Sequence, residues 1–244
     1  NEAELEVESE RELEFVGTLA TLPELPMRGG LQLKPHQSIC VRWLLTLAGE
    51  RDQGALLADD MGLGKTLQIL AFLAALTGQG RDGPHLVVAP VGLLTSWENE
   101  AQRFFGYLFG DIVVVQGRAR YTNTELERHA LVLVGYDSLR QNEFLFARVR
   151  WDVVVLDEAQ RIKNPKIQVA RVVRALHARF RLASTGTPVE NSLDELWAIF
   201  DWVMPGLLGT LREFSRTYVQ PARAAAQIGE WGEAAALSVG LRQQ

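Results

Sequence analysis

Ala55-Leu56-Leu57-Ala58-Asp59-Asp60-Met61-Gly62-Leu63-Gly64-Lys65-Thr66 is the stretch on which the fold turns. Its four leading apolar residues read as a buried strand, and Leu67, Ile69, Leu70 and Leu73 after it keep a helical period. The glycines therefore stand at a strand-to-helix junction. Such a junction gathers backbone N–H groups and a helix N-terminus at one point, which is what a phosphate group requires. Lys65 adds a cation for β and γ oxygens, and Thr66 a hydroxyl for Mg2+. Gly62 and Gly64 keep side chains out of the way of the ligand. The eight-residue form of this pattern has Gly where this chain has Asp59. A glycine turn that merely capped a strand would leave the Lys-Thr pair and the following helix without a reason.

Outward from this stretch the chain alternates short apolar runs with amphipathic segments. Further strands are expected at His85 to Ala89, Ile112 to Val115, Leu131 to Gly135, Asp152 to Leu156 and Arg181 to Ser184. These runs are continuously apolar, as strands covered on both faces should be. Leu93, Leu94, Trp97, Ala101, Phe104 and Phe105 recur at helical spacing between two of them, and Ile39, Cys40, Trp43, Leu44 and Leu47 do so ahead of the first. The pattern predicts an α/β fold, a mostly parallel sheet with helices on both faces. After Asn191 no strand-like run returns, so 192–244 is expected to be a helical extension with a break at Pro205-Gly206.

The Val153-Val154-Val155-Leu156 run ends in Asp157-Glu158-Ala159-Gln160, which puts two carboxylates at the C-terminal edge of a parallel sheet, where open α/β folds bind ligands. Asp157 suits a magnesium ion held through its water shell, and Glu158 suits the polarisation of an attacking water. Ser184-Thr185-Gly186-Thr187-Pro188 forms a second polar loop on the same edge, fit to sense a terminal phosphate. Taken alone it reads better as an ordinary turn before a helix capped by Asn191 or Ser192.

The 244 residues, 47% hydrophobic, suffice for a packed core, and Cys40 as the single cysteine excludes an internal disulfide framework. No apolar run is long enough to span a bilayer, and a cytosolic location is expected. The formal charge is -5, but residues 1–30 hold eight of the 30 acidic residues and two of the 25 basic ones, so the remainder is close to neutral. Charge neither supports nor excludes a nucleic-acid partner. The first residue is not Met and the last four are Leu241-Arg242-Gln243-Gln244, from which a piece of a longer protein is expected.

Taken together, Asp59 to Thr66, Asp157 to Gln160 and Thr185-Gly186-Thr187-Pro188-Val189-Glu190-Asn191 resemble motifs I, II and III of the Swi/Snf-type ATPases of helicase superfamily two. The bacterial branch is similar in Leu57-Ala58-Asp59-Asp60-Met61 and in Asp157-Glu158-Ala159-Gln160-Arg161-Ile162-Lys163-Asn164-Pro165. Leu33-Lys34-Pro35-His36-Gln37, Ala89-Pro90 with Ser96-Trp97, and Asp194-Glu195-Leu196-Trp197 extend the likeness over roughly residues 31–220.

The resemblance implies a RecA-like P-loop lobe at 31–191, the first of two, preceded by an acidic lead-in at 1–30. It implies ATP hydrolysis that drives movement along double-stranded DNA, with ATP and Mg2+ as cofactors. The second lobe and a DNA-bound protein target are the partners it implies. By position, Gln37 would read adenine; Asp60, Met61, Gly62, Leu63, Gly64, Lys65 and Thr66 would cradle the phosphates; Thr66 and Asp157 would serve the metal; and Lys65, Asp157 and Glu158 would carry the chemistry. Pro90, Ser96 and Trp97 would lie toward the DNA, and Thr185, Gly186 and Thr187 would couple hydrolysis to movement; Lys163, with Arg161 and Lys166, suits phosphate contact and a solvated basic loop equally. Val134 and Gly135 stand where relatives carry hydroxyl residues, so that phosphate contact does not transfer, and Ser184 stands where an aliphatic residue is usual.

Motifs of a second lobe do not appear after residue 220, so this chain alone is expected to bind ATP weakly and turn it over slowly. An RNA helicase lobe shares these motor residues. A silent scaffold would have lost Lys65, Thr66, Asp157 and Glu158, and a small phosphotransferase would need an acceptor site and a lid in place of the Asp-Glu-Ala-Gln and Thr-Gly-Thr-Pro segments.

Overall fold

Each apolar run becomes a strand because helices cover both of its faces. The computed structural model describes residues 18–50, 54–60, 62–81, 83–164, 167–186 and 193–221. Within them helix α1 (Pro35–Gly49) leads to β1 (Gly54–Leu57), α2 (Lys65–Gly78), β2 (His85–Ala89), α3 (Leu94–Phe109) and β3 (Val113–Val115). Then come α4 (Asn123–Leu126), β4 (Leu131–Gly135), α5 (Tyr136–Gln141), α6 (Glu143–Arg148), β5 (Arg150–Asp157), α7 (Gln168–Arg174) and β6 (His177–Ser184). Helices α8 (Leu193–Val203) and α9 (Leu211–Phe214) close the described chain. Among the described residues the sheet has 6 strands in the order β1-β6-β5-β2-β4-β3, and all its pairings are parallel.

Alternate strand residues divide the core between the two faces of the sheet. Val87, Leu133, Val153, Val155 and Leu182 face α1, α2 and α3, whose Val41, Leu44, Ile69, Phe72, Trp97 and Phe105 are buried with them. Val88, Val132, Val154, Leu156 and Ala183 face the other layer, where Phe146, Ile162, Val173, Ile199 and Trp202 are buried. Helix α8 therefore belongs to this core. The Trp202 indole donates to the Val173 carbonyl at 3.1 Å, and Arg174 pairs with Asp201 at 3.2 Å. The expected helical extension thus begins with a helix packed on the sheet, and the expected break at Pro205-Gly206 follows it. Residues 1–17 of the lead-in expected at 1–30, the boundary near 191 and everything after 221 lie outside the described residues.

Opposite the site, His85 begins β2 fully buried, 3.3 Å from the Thr77 hydroxyl and 3.9 Å from Asp152, which Arg81 holds at 2.7 Å. Burial lowers its pKa to about 4; Asp152 pulls it up and Arg81 pushes it down. The unfolded chain, with an ordinary histidine near 6.5, binds this proton more readily than the folded one. Stability is therefore intact above about pH 6.5 and falls as pH drops toward 4, by on the order of 3 kcal/mol from this group. Thermal melts from pH 7 to 4.5 should show that decline, and a His85→Met chain should show a shallower one.

Among the described residues, no helix is long and apolar enough to cross a membrane.

Candidate active site

The sheet register assembles the site. Leu57, the last residue of β1, pairs with Ser184 at the end of β6, and Ser184 pairs with Asp157 at the end of β5. Two strand spacings separate Leu57 from Asp157, about 10 Å along one edge. The loop that follows Leu57 and the Asp157-Glu158 pair are therefore neighbours, although 100 residues separate them in sequence.

The loop after β1 is built for close approach. Gly64 has φ 83 and ψ 38, left-handed geometry that glycine accepts without strain, and it immediately precedes the 14-residue helix α2. A Cβ at Gly64 would lie 2.6 Å from Gln37 Nε2. The Leu63 carbonyl accepts hydrogen bonds from Gln37 Nε2 at 3.2 Å and from Gln68 Nε2 at 3.3 Å. Gln37 Oε1 in turn accepts from the Lys34 N–H at 3.0 Å, so a single amide ties the start of α1 to the loop. One donor hydrogen and one lone pair of that amide remain for a base edge.

Lys65 Nζ donates to the carbonyls of Asp59 at 2.5 Å and Asp60 at 3.0 Å. Its charge is thus held over the loop opening, and Thr66 stands next to it in the first turn of α2. Gly62 and Leu63 are exposed, with the Gly62 backbone at φ 89. Met61 lies outside the described residues. Beside the loop a cleft of about 560 Å³ is lined by His36, Ile39, Cys40, Trp43 and Leu63, among others. Burial, with a smaller contribution from Asp59, pushes the Cys40 thiol up to about 12, so it stays neutral.

On the facing strand Asp157 is held on every side. Trp97 Nε1 donates to its Oδ2 at 3.0 Å, the Glu158 N–H to its Oδ1 at 3.1 Å, and the Tyr136 hydroxyl to its main-chain carbonyl at 2.8 Å. Burial raises the pKa of this carboxyl and the Trp97 hydrogen bond lowers it, while the Glu158 charge adds to the rise. Ser184 is buried in the same row and also pulls it down, though its hydroxyl makes no well-formed hydrogen bond among the described residues.

Glu158 has φ 53 and ψ 53 and is the described non-glycine residue with a positive φ. Strained backbone of this kind costs on the order of 1–3 kcal/mol and gathers at functional positions. Its Oε2 accepts from Gln160 Nε2 at 2.7 Å, and Gln160 Oε1 accepts from the Thr185 hydroxyl at 2.9 Å. The Thr185 N–H donates to the Leu57 carbonyl at 3.1 Å. A continuous path therefore runs from Glu158 through Gln160 and Thr185 to β1, the strand that leads into the Lys65 loop. Gly186 follows Thr185, and Thr187 lies outside the described residues.

The residues expected to face nucleic acid fare differently. Ser96 is exposed in the first turn of α3, and Pro90 is half-buried at the end of β2. Trp97 is 1% exposed with its N–H spent on Asp157, so the expectation that it lies against DNA is corrected: its place on the Leu94, Trp97, Ala101, Phe105 stripe turns it inward. Lys163 pairs with Glu195 at 3.0 Å and thereby ties the segment after Asp157 to α8. Sequence reasoning gave no individual role to Gln68, Tyr136 or Gln160, whose partners become visible only in the fold.

Magnesium suits this donor set. Among the described residues no three His, Cys, Asp or Glu side chains gather to hold a metal by themselves. An ion here would draw on Asp157, Thr66, water and phosphate oxygens, the environment that Mg2+ favours.

The parallel sheet order and the two-part edge site define a RecA-like P-loop domain. The family model described as SNF2-related domain matches residues 36–239, and the chain belongs to that family. It is 40% identical over 227 residues to the Zorya protein ZorD of Escherichia coli O139:H28, covering 82% of this chain and 21% of that protein. To the putative ATP-dependent helicase/translocase YwqA of Bacillus subtilis it is 39% identical over 194 residues, covering 78% and 21%. Among solved structures it superposes on the Sulfolobus solfataricus SWI2/SNF2 ATPase core in complex with dsDNA with TM-score 0.75 and 32% identity, covering 89% of this chain and 45% of that one. The chain thus spans about a fifth of the length of ZorD and YwqA.

Proposed function

We propose that this chain is the first of two RecA-like lobes of an ATP-driven motor that moves along double-stranded DNA. The observation that carries the reading is the shared sheet edge of Leu57, Ser184 and Asp157, which sets the Lys65 loop beside the Asp157-Glu158 pair. In this reading the adenine enters the cleft beside His36 and Trp43, with the spare donor and acceptor of Gln37 at its edge. The triphosphate lies along the loop to the N-terminus of α2, where Lys65 leaves the Asp59 and Asp60 carbonyls for phosphate oxygens. Thr66, and Asp157 through water, would hold magnesium, which would supply charge neutralisation at the triphosphate.

Glu158 orients the attacking water and accepts its proton, and Gln160 keeps the carboxylate in place. Loss of the terminal phosphate then reaches Thr185 through the Gln160 amide. An arginine from a second lobe completes the charge stabilisation, a contribution worth about a thousandfold or more in rate. Ser96 and Pro90 meet the DNA backbone, and displacement of a DNA-bound protein is the work performed. The proposal places the protein in the cytosol.

ATPase assays of the full-length protein with duplex DNA, single-stranded DNA and RNA as separate stimulants test the reading. Duplex DNA should raise turnover at least tenfold above RNA, while this chain alone stays near its basal rate. Stimulation by RNA alone would favour an RNA helicase lobe, and several turnovers per second by the isolated chain would remove the need for a second lobe.

A further inference from the structure

Asp157 receives hydrogen bonds from two side chains that lie far from it in sequence and leave the sheet on different strands. Trp97, in the segment after β2, is 1% exposed, and its indole N–H reaches Oδ2 at 3.0 Å. Tyr136, the first residue after β4, is 4% exposed, and its hydroxyl reaches the Asp157 carbonyl at 2.8 Å. With the Glu158 N–H on Oδ1, each carboxylate oxygen carries one donor and keeps a lone pair for a metal-bound water. The two segments also approach one another, since a Cβ at Gly135 would sit 3.8 Å from both Leu94 Cδ1 and Val91 Cβ. Trp97 packs on the face covered by α1, α2 and α3 and Tyr136 on the opposite face, so the two hold Asp157 from both sides of the sheet.

Packing alone does not account for this arrangement. A buried indole could satisfy its N–H on a backbone carbonyl, as Trp151 does on Phe146 at 3.0 Å and Trp202 does on Val173 at 3.1 Å. Trp97 instead donates to a carboxylate at the C-terminal sheet edge. A hydrogen bond to an ionised acceptor is about twice as strong as a neutral one, and it fixes the rotamer of the group it reaches. Partners one shell away from a metal ligand orient it in this way.

We propose that Trp97 and Tyr136 are positioning residues that orient Asp157 for the magnesium ion of bound nucleotide. The proposal rests on the reading of Asp157 as the metal-side carboxylate. Trp97 acts on the carboxylate itself, and Tyr136 acts on the backbone that carries it. Neither touches nucleotide directly, so both should matter only when the metal is present.

The test is the affinity of this chain for a fluorescent ADP analogue, measured in Mg2+ and in EDTA. Wild type should bind more tightly in Mg2+. In Trp97→Phe, which keeps an aromatic ring but loses the N–H, EDTA affinity should be unchanged and the magnesium-dependent gain should shrink about tenfold. In Tyr136→Phe the gain should shrink about threefold, as expected for one neutral hydrogen bond. Equal losses with and without metal would mark both residues as merely structural and overturn the proposal, as would a full wild-type gain in both folded variants. A wild-type chain with no magnesium-dependent gain would contradict the reading of Asp157 itself. If Trp97→Phe does not melt cooperatively, Tyr136→Phe, which removes one hydroxyl, decides.

Discussion

Lys65→Ala should abolish measurable nucleotide binding while leaving the melting temperature within a few degrees of wild type. The two halves of this result have separate causes. In the folded chain the ammonium makes two hydrogen bonds, to the Asp59 and Asp60 carbonyls, on a loop where water can replace it. Both bonds lie on a partly exposed loop, so water screens and replaces them and their loss costs little net stability. The loop keeps its shape by other means, because Gln37 and Gln68 hold the Leu63 carbonyl and Gly64 supplies the left-handed turn. Toward a triphosphate, by contrast, the same ammonium makes charge-assisted contacts of about 1.5–3 kcal/mol each. Two of them correspond to a loss of roughly a hundredfold to twenty-thousandfold in affinity. Titration with a fluorescent nucleotide, run beside a thermal melt, measures both halves. Unchanged affinity would remove the phosphate loop from the account.

Glu158→Gln should do the reverse and leave binding nearly intact while stalling turnover of the complete protein. A glutamine side chain still offers an oxygen to the Gln160 amide, and it fits the backbone at φ 53 as well as glutamate does. The path through Gln160 to Thr185 therefore survives. What is lost is the carboxylate that accepts a proton from the attacking water, a contribution of about a hundredfold to ten-thousandfold in rate. Steady-state ATPase of the full-length variant with duplex DNA should fall by about a thousandfold, with nucleotide affinity within a factor of about two of wild type. A variant that retained most of its rate would place the base elsewhere.

How much of this was legible in sequence depends on how local the cause is. Strands β2 and β4 fall on the residues that the apolar runs mark, because both of their faces are covered along their whole length. Strands β5 and β6 begin earlier than expected, at Arg150 and His177, because their first residues sit at the open N-terminal edge, where arginine and histidine break the apolar run. The Lys65 loop and the two carboxylates were marked by residue type, while their shared sheet edge comes from the strand order.

The side-chain partners were not legible in this way. The Trp97 bond to Asp157 spans 60 positions and the Thr185 bond to Gln160 spans 25, so nothing local announces either. For Trp97 the helical stripe already pointed inward, and the likeness to a DNA-facing motif pointed outward; packing decided between them. The left-handed backbone of Glu158 has no signature in a glutamate. The share of α8 in the core was hidden for a similar reason, since its apolar stripe fits a separate helical subdomain as well as the sheet face that it covers.

The most direct measurement of the central claim is a crystal structure of the Glu158→Gln chain with Mg2+ and ATP, a state in which slow turnover preserves the triphosphate. The account predicts Lys65 Nζ on the β and γ phosphate oxygens, the Thr66 hydroxyl on the ion, and Asp157 on the same ion through water. A triphosphate bound away from the loop, or one whose ion lies beyond the reach of Asp157, would contradict it.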